Sequence, residues 1–189
     1  MPNNLLITGK IRSGKSTLLK EMIDPFLKVT GGYYVQRLFI QGESRAFRLV
    51  DLNRECYLPN LEVQNIESFS DLIAVIGEEK HLYFDPFRKI GVPALKQAAE
   101  KKQLILMDEL GRFETKVPEF MQAVFKILDN NLPVLGVIKK ETNPFLERIR
   151  ERSDVYVIDM DEIGLDTARR EVERFLNSKN YSPSPALKL

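Results

Sequence analysis

Short, continuous apolar runs alternate along this chain with stretches in which apolar residues recur every three or four positions. The first run, Leu5-Leu6-Ile7, reads as a buried strand, and Leu18-Leu19 with Met22-Ile23 reads as one face of a helix. Two segments follow, 33–40 and 45–51, separated by Gln41-Gly42-Glu43-Ser44. They predict a β-hairpin inserted after the first helix. Residues 52–80 carry Pro59 and scattered polar positions and predict loops with a short helical or strand piece. Leu82-Tyr83-Phe84 reads as a short strand, and 94–102 as a helix entered through Val92-Pro93. Leu104-Ile105-Leu106-Met107 has the pattern of a strand covered on both faces, as does 134–138. Helical spacing marks 120–128 with Pro118 near its start, then 144–152 and 165–176. A last strand is expected at 155–158.

Strands alternating with helices indicate parallel βαβ units with right-handed crossovers. The expected architecture is an α/β three-layer sandwich with a mainly parallel central sheet. Residues 1–176 read as a single domain, and 177–189, with Ser182-Pro183-Ser184-Pro185, as a flexible tail. At 189 residues the chain is long enough for one sizeable core.

Charge narrows the function classes. Twenty-eight Lys and Arg against 27 Asp and Glu leave a net charge of +1, with no basic excess of the kind a duplex binder carries. A single cysteine, Cys56, excludes an intramolecular disulfide and a CxxC zinc site, and reads as a small packed residue in a reducing compartment. The lone His81 cannot build a histidine metal site and reads as a strand-start residue. With no apolar run near 20 residues and no leader pattern, a cytoplasmic monomer without a membrane role is expected.

The chemistry is concentrated in Gly9-Lys10-Ile11-Arg12-Ser13-Gly14-Lys15-Ser16, followed by Thr17, which fits G-x-x-x-x-G-K-[ST]. It lies after the first strand and opens the first helix, where backbone N–H groups and the helix dipole favour phosphate. All nine residues are candidate nucleotide contacts. Lys15 is expected on the β- and γ-phosphates and Ser16 on Mg²⁺. Arg12 either leans over the γ-phosphate as an arginine finger in cis or is a solvated loop residue. The run 104–107 ends in Asp108-Glu109, at the strand end where open α/β sheets bind ligands. Asp108 is expected to hold Mg²⁺, and Glu109 to orient and deprotonate an attacking water. These motifs place the chain in the P-loop NTPase fold.

Lys139-Lys140 follow the 134–138 strand near the same ligand edge, with Lys139 either a γ-phosphate sensor or part of a solvated strand end. Arg148, Arg150 and Arg152 form either a basic lid or, with Glu147 and Glu151 interspersed, an ordinary salt-bridged helix. Tyr33 and Tyr34 could stack on a base or be strand structure. No NKxD guanine-reading motif is present, so no strict GTP selectivity is expected.

The phosphate loop, Gly32-Tyr33-Tyr34, Gly91-Val92-Pro93-Ala94-Leu95, Met107-Asp108-Glu109-Leu110-Gly111-Arg112-Phe113-Glu114 and Pro133–Ile138 occur in the order of a small nucleoside-triphosphatase family first described in thermophiles. The resemblance spans roughly residues 4–176. It implies Mg²⁺-dependent hydrolysis of nucleoside triphosphates (ATP, GTP or others) to diphosphates. It also implies an additional strand between the phosphate-loop and acid strands. The chain departs from the family pattern at Arg12 and Ala46, where glycine is usual, and at Gln36, near which an acid is usual. A nucleotide or nucleoside kinase and a nucleotide-dependent switch share these motifs and remain alternatives at this level. Glu114 is the next candidate base after Glu109.

Overall fold

The structure is a computed structural model describing residues 2–179. Strand β1 (Asn4–Thr8) runs through the phosphate loop into helix α1 (Lys15–Ile23), and a 3₁₀ turn, Asp24–Val29, leads to β2 (Thr30–Ile40). Then come β3 (Glu43–Asp51), β4 (Asn60–Glu62), β5 (Leu72–Ile76), β6 (Lys80–Leu82) and α2 (Val92–Lys101). They are followed by β7 (Leu104–Leu110), α3 (Pro118–Leu128), β8 (Val134–Ile138), α4 (Pro144–Arg150), β9 (Val155–Asp159), α5 (Met160–Ile163) and α6 (Leu165–Asn177).

All nine strands join one sheet of order β6-β5-β3-β2-β7-β8-β1-β9, with β4 pairing to β2. The block β2-β7-β8-β1-β9 is parallel, and β3, β5 and β6 extend it antiparallel. Strand β8 separates β7 from β1, as the resemblance implies. The alternation of strand side chains builds the two outer layers. Leu5 and Ile7 pack with Leu18, Leu19, Ile23, Val172 and Phe175 of α1 and α6. Leu6, Ile105 and Met107 face α2, α3 and α4 through Ala94, Leu95, Phe120, Val124 and Leu146. Burial on both faces explains why these strands read as unbroken apolar runs.

The hairpin has a different role from the one expected. Its first arm, β2, begins at Thr30 and pairs in parallel with β7 over Thr30–Tyr34, so it belongs to the central sheet. Only β3, across the two-residue turn Gln41-Gly42, is the antiparallel addition. Residues 52–80 hold two strands, β4 and β5, and β6 begins at Lys80, where that stretch ends. Strands β4 and β6 are three residues long and largely exposed, so they carry no apolar signature and owe their form to sheet partners. The strand expected at 82–84 ends at Leu82, with His81 inside it, and α2 starts two residues early behind a π-helical turn at Phe87–Gly91. Helix α4 ends at Arg150 rather than at residue 152.

Cys56 is exposed, not packed, because it lies in the loop beyond β3 while its neighbour Tyr57 takes the buried place. The described chain continues beyond 177. Ser178 Oγ donates to Phe175 O at 2.7 Å and Lys179 Nζ to Asn3 Oδ1 at 3.1 Å. The tail expected from 177 otherwise lies outside the described residues. Among these, no helix is long and apolar enough to cross a membrane.

Candidate active site

Sheet register brings the two motifs together. Asp108 of β7 pairs with Val137 of β8, and Val137 pairs with Ile7 of β1, two residues before Gly9. The phosphate loop and the acids therefore leave the same edge of the sheet, one strand apart.

The loop is built on left-handed backbone at Gly9 (φ 143°) and Gly14 (φ 89°), a region glycine enters without a Cβ penalty. Gly14 precedes α1 with no side-chain cap, and no acid lies in the first helical turn. The N-terminal N–H groups and the positive dipole end are thus left for an anion. Lys15 Nζ folds back over the loop and donates to Gly9 O (2.9 Å), Lys10 O (2.6 Å) and Ser13 Oγ (3.1 Å). Burial lowers the pKa of this ammonium. Glu109, Asp161 and Asp108 oppose that shift and Lys139 adds to it, so all four act on Lys15. Ser16 is half-buried, while Ile11, Arg12 and Thr17 are exposed.

Arg12 has φ 66°, a strained value for a residue with a side chain. This accounts for the glycine usual there in the family the sequence resembles. No ion pair to Arg12 occurs among the described residues, in keeping with the solvated alternative. Arg12→Gly is expected to relieve the strain and raise stability by about 1 kcal/mol, or roughly 2–4 °C in Tm. A thermal melt checks it, and an unchanged or lower Tm would mean the left-handed backbone costs nothing here.

Asp108 is buried and accepts from the Tyr57 hydroxyl at 2.5 Å. Burial pushes its pKa up to about 7, with Glu109 adding to the rise and Tyr57 and Lys15 opposing it. A buried acid held this way is short of positive charge. The Ser16 hydroxyl and the Asp108 carboxylate are hard oxygen donors of the kind Mg²⁺ takes, and Mg²⁺ characteristically uses one or two side chains alongside substrate phosphates. Among the described residues there is no all-protein cluster of three or more His, Cys, Asp or Glu.

Glu109 is half-exposed and pairs with Lys139 Nζ at 2.8 Å. A Cβ at Gly111 would lie 3.1 Å from Lys139 Cδ, a tight contact with the stem of a flexible side chain. The Lys139 backbone N–H donates to Leu110 O at 2.9 Å, tying the end of β8 to the end of β7. Lys140 instead turns to Asp159 (2.7 Å) and Asp161 (3.0 Å).

Asp161 is a site residue that motif reading missed. Both its carboxylate oxygens accept from the Lys10 backbone N–H at 3.1 Å, so it fastens the phosphate loop from the far end of the chain. Tyr57, the partner of Asp108, was missed too. Neither lies in a sequence pattern, and both come within reach only through the fold.

Glu114 is buried, and its Oε2 has no hydrogen-bond partner. Burial raises its pKa to about 7, with Glu109 reinforcing the shift. The folded protein therefore holds a proton that the unfolded chain releases near the ordinary glutamate value. Stability is highest below that value and declines as pH rises through about 7. Glu114→Gln is expected to remove this group's share of the slope, leaving that of Asp108, and to stabilise the nucleotide-free protein at pH 8 by on the order of 3 kcal/mol. Denaturant melts across pH 5–8 check it, and a variant that keeps the wild-type slope would place the titration elsewhere.

The late arginines are structural. Arg148 lies 4.3 Å from the Phe125 ring centroid, Arg150 pairs with Glu147 at 2.6 Å, and Arg152 pairs with Asp129 (2.7 Å) and Asp154 (2.8 Å). No basic lid forms. Tyr33 and Tyr34 are fully buried, their hydroxyls donating to Glu109 O and Cys56 O, so neither offers a face to a base. Gln36 is buried where the family pattern has an acid nearby. It donates to Leu58 O at 2.6 Å and accepts from Arg48 at 3.3 Å.

The family described as NTPase matches residues 4–173. The chain belongs to the NTPase family. Among curated relatives it is 32% identical over 169 residues to the nucleoside-triphosphatase THEP1 of Thermotoga petrophila, covering 89% of each chain. It is 31% identical over 170 residues to that of Thermotoga maritima, covering 89% of this chain and 92% of the relative. In fold it is similar to the crystal structure of THEP1 from Aquifex aeolicus, with a TM-score of 0.70 and 19% identity over 94% of this chain and 99% of the other. A human cancer-related nucleoside triphosphatase solved in solution is equally close in fold, at TM-score 0.70 and 20% identity over the same shares. In this NTPase chain the glycine loop, Asp108 and Glu109 stand together at one sheet edge, and Arg12 brings a strained, charged residue into the loop.

Proposed function

We propose that the chain hydrolyses nucleoside triphosphates to diphosphate and phosphate, with Mg²⁺ and with broad tolerance of the base. The observation that carries this reading is the sheet register, which brings Asp108-Glu109 at the end of β7 to the same edge as the glycine loop and the uncapped start of α1. Triphosphate binding would draw Lys15 from the loop carbonyls to the β- and γ-phosphates, a charge-assisted exchange of partners. Ser16 and Asp108 would hold Mg²⁺, which supplies charge neutralisation on the β- and γ-oxygens. Glu109 then takes a proton from a water as its oxygen attacks the γ-phosphorus. The bond to the β-phosphate oxygen breaks and the nucleoside diphosphate leaves. The buried Tyr33 and Tyr34 and the absence of a base-reading motif support the broad tolerance.

The test is phosphate release from a panel of triphosphates at fixed Mg²⁺, with and without nucleoside or nucleotide acceptors. Free phosphate without acceptor is expected. Diphosphate formed only when an acceptor is present would make the chain a kinase.

A further inference from the structure

Three cations surround the ring of Phe113. Lys80 Nζ lies 4.8 Å from its centroid, Arg112 Cζ 5.4 Å and Lys139 Nζ 5.6 Å. They arrive from separate parts of the chain: β6, the loop after β7, and the residue that follows β8. Phe113 itself is half-buried and packs on the core, which fixes the ring around which they gather. Lys139 has Glu109 as its counter-ion. Among the described residues Lys80 and Arg112 have none, and both are exposed to solvent. Glu114 and Glu141 face the same Gly111 as Lys139, with Oε2 and Oε1 unpartnered, and among the described residues neither these two nor Glu78 and Glu79 pair with Lys80 or Arg112.

Like charges gathered around one ring repel, and an anion is what relieves them. The Lys80 ammonium is held below its ordinary range by burial and by the charges of Arg112 and Lys139. Lys139, ion-paired with Glu109 at 2.8 Å and 5.6 Å from the Phe113 centroid, is the member of the group that lies against the acid motif. An arginine fork and two lysine ammoniums suit a compact anion with several acceptor oxygens.

We propose that Lys80, Arg112 and Lys139 form a second anion site beside the glycine loop, which takes a phosphate dianion. The phosphate is either the γ-phosphate after hydrolysis or that of a nucleoside monophosphate. Only the first source rests on the hydrolase reading above.

The experiment is calorimetric titration of inorganic phosphate, and separately of AMP, into protein saturated with Mg²⁺ and ADP. Wild type is compared with the double variant Lys80→Ala/Arg112→Ala. Phosphate or AMP is expected to bind wild type and to lose at least about tenfold in affinity in the variant. ADP affinity, titrated first, should stay within about twofold, which reports an intact fold and glycine loop. Tighter binding of AMP than of phosphate assigns the site to a monophosphate ligand, and binding of phosphate alone assigns it to the product. Equal affinities in the two proteins, or no binding of either probe to wild type, would overturn the proposal. A wild type that binds phosphate at these residues but releases none from triphosphates would overturn the hydrolase reading and leave this site standing.

Discussion

Lys15→Ala is expected to weaken triphosphate binding by at least ~10²-fold. Lys15 is the cation that the G-x-x-x-x-G-K-[ST] spacing fixes against the phosphates, and its ammonium already sits over the loop on Gly9 O, Lys10 O and Ser13 Oγ. A charge-assisted contact contributes roughly 1.5–3 kcal/mol, and two phosphates are lost at once. The apo fold should change little, because the ammonium lies at a partly exposed loop and not in either core layer. Calorimetry with ATP measures the effect. Near-normal affinity would remove the glycine loop from the binding site.

Glu109→Gln is expected to keep nucleotide and Mg²⁺ binding while cutting turnover by at least ~10²-fold. The amide is nearly the same shape but cannot accept the water proton, and losing a general base typically costs ~10² to 10⁴ in rate. The structure adds a control that the motif alone did not suggest. Glu109 is ion-paired with Lys139, so the substitution also breaks that pair. Lys139→Met breaks the pair and leaves the carboxylate. If Glu109 is the base, single-turnover hydrolysis falls further in Glu109→Gln than in Lys139→Met. Equal losses would mean that the pair, or the contact of Lys139 with phosphate, matters and not proton transfer. If Glu109→Gln turns over at the wild-type rate, the base lies elsewhere, and Glu114 is the next carboxylate to replace.

Arg12 shows how sequence and structure divide the work. Its departure from the usual glycine is visible in the letters, but only the φ of 66° gives the departure a cost. Arg148, Arg150 and Arg152 are the reverse case. Their spacing permits a lid, and their partners Phe125, Glu147, Asp129 and Asp154 rule it out. Tyr34 likewise looks available in a strand pattern, yet it is closed off by Cys56 O and the edge of the Tyr57 ring.

The chain by itself determined the glycine loop, the acid pair and the alternating parallel core. Each is a local signal: fixed spacing in the loop, and unbroken apolar runs where a strand is covered on both faces. Tertiary structure decided what depends on contacts between distant segments. It placed β2 inside the sheet, and it formed β4 and β6 from exposed triplets that only neighbouring strands hold extended. It also brought Asp161 to Lys10 across 151 residues of sequence and Tyr57 to Asp108 across 51. Hydrogen bonds of that separation leave no periodicity to read, because neither partner's local sequence is constrained by the other until the sheet has formed.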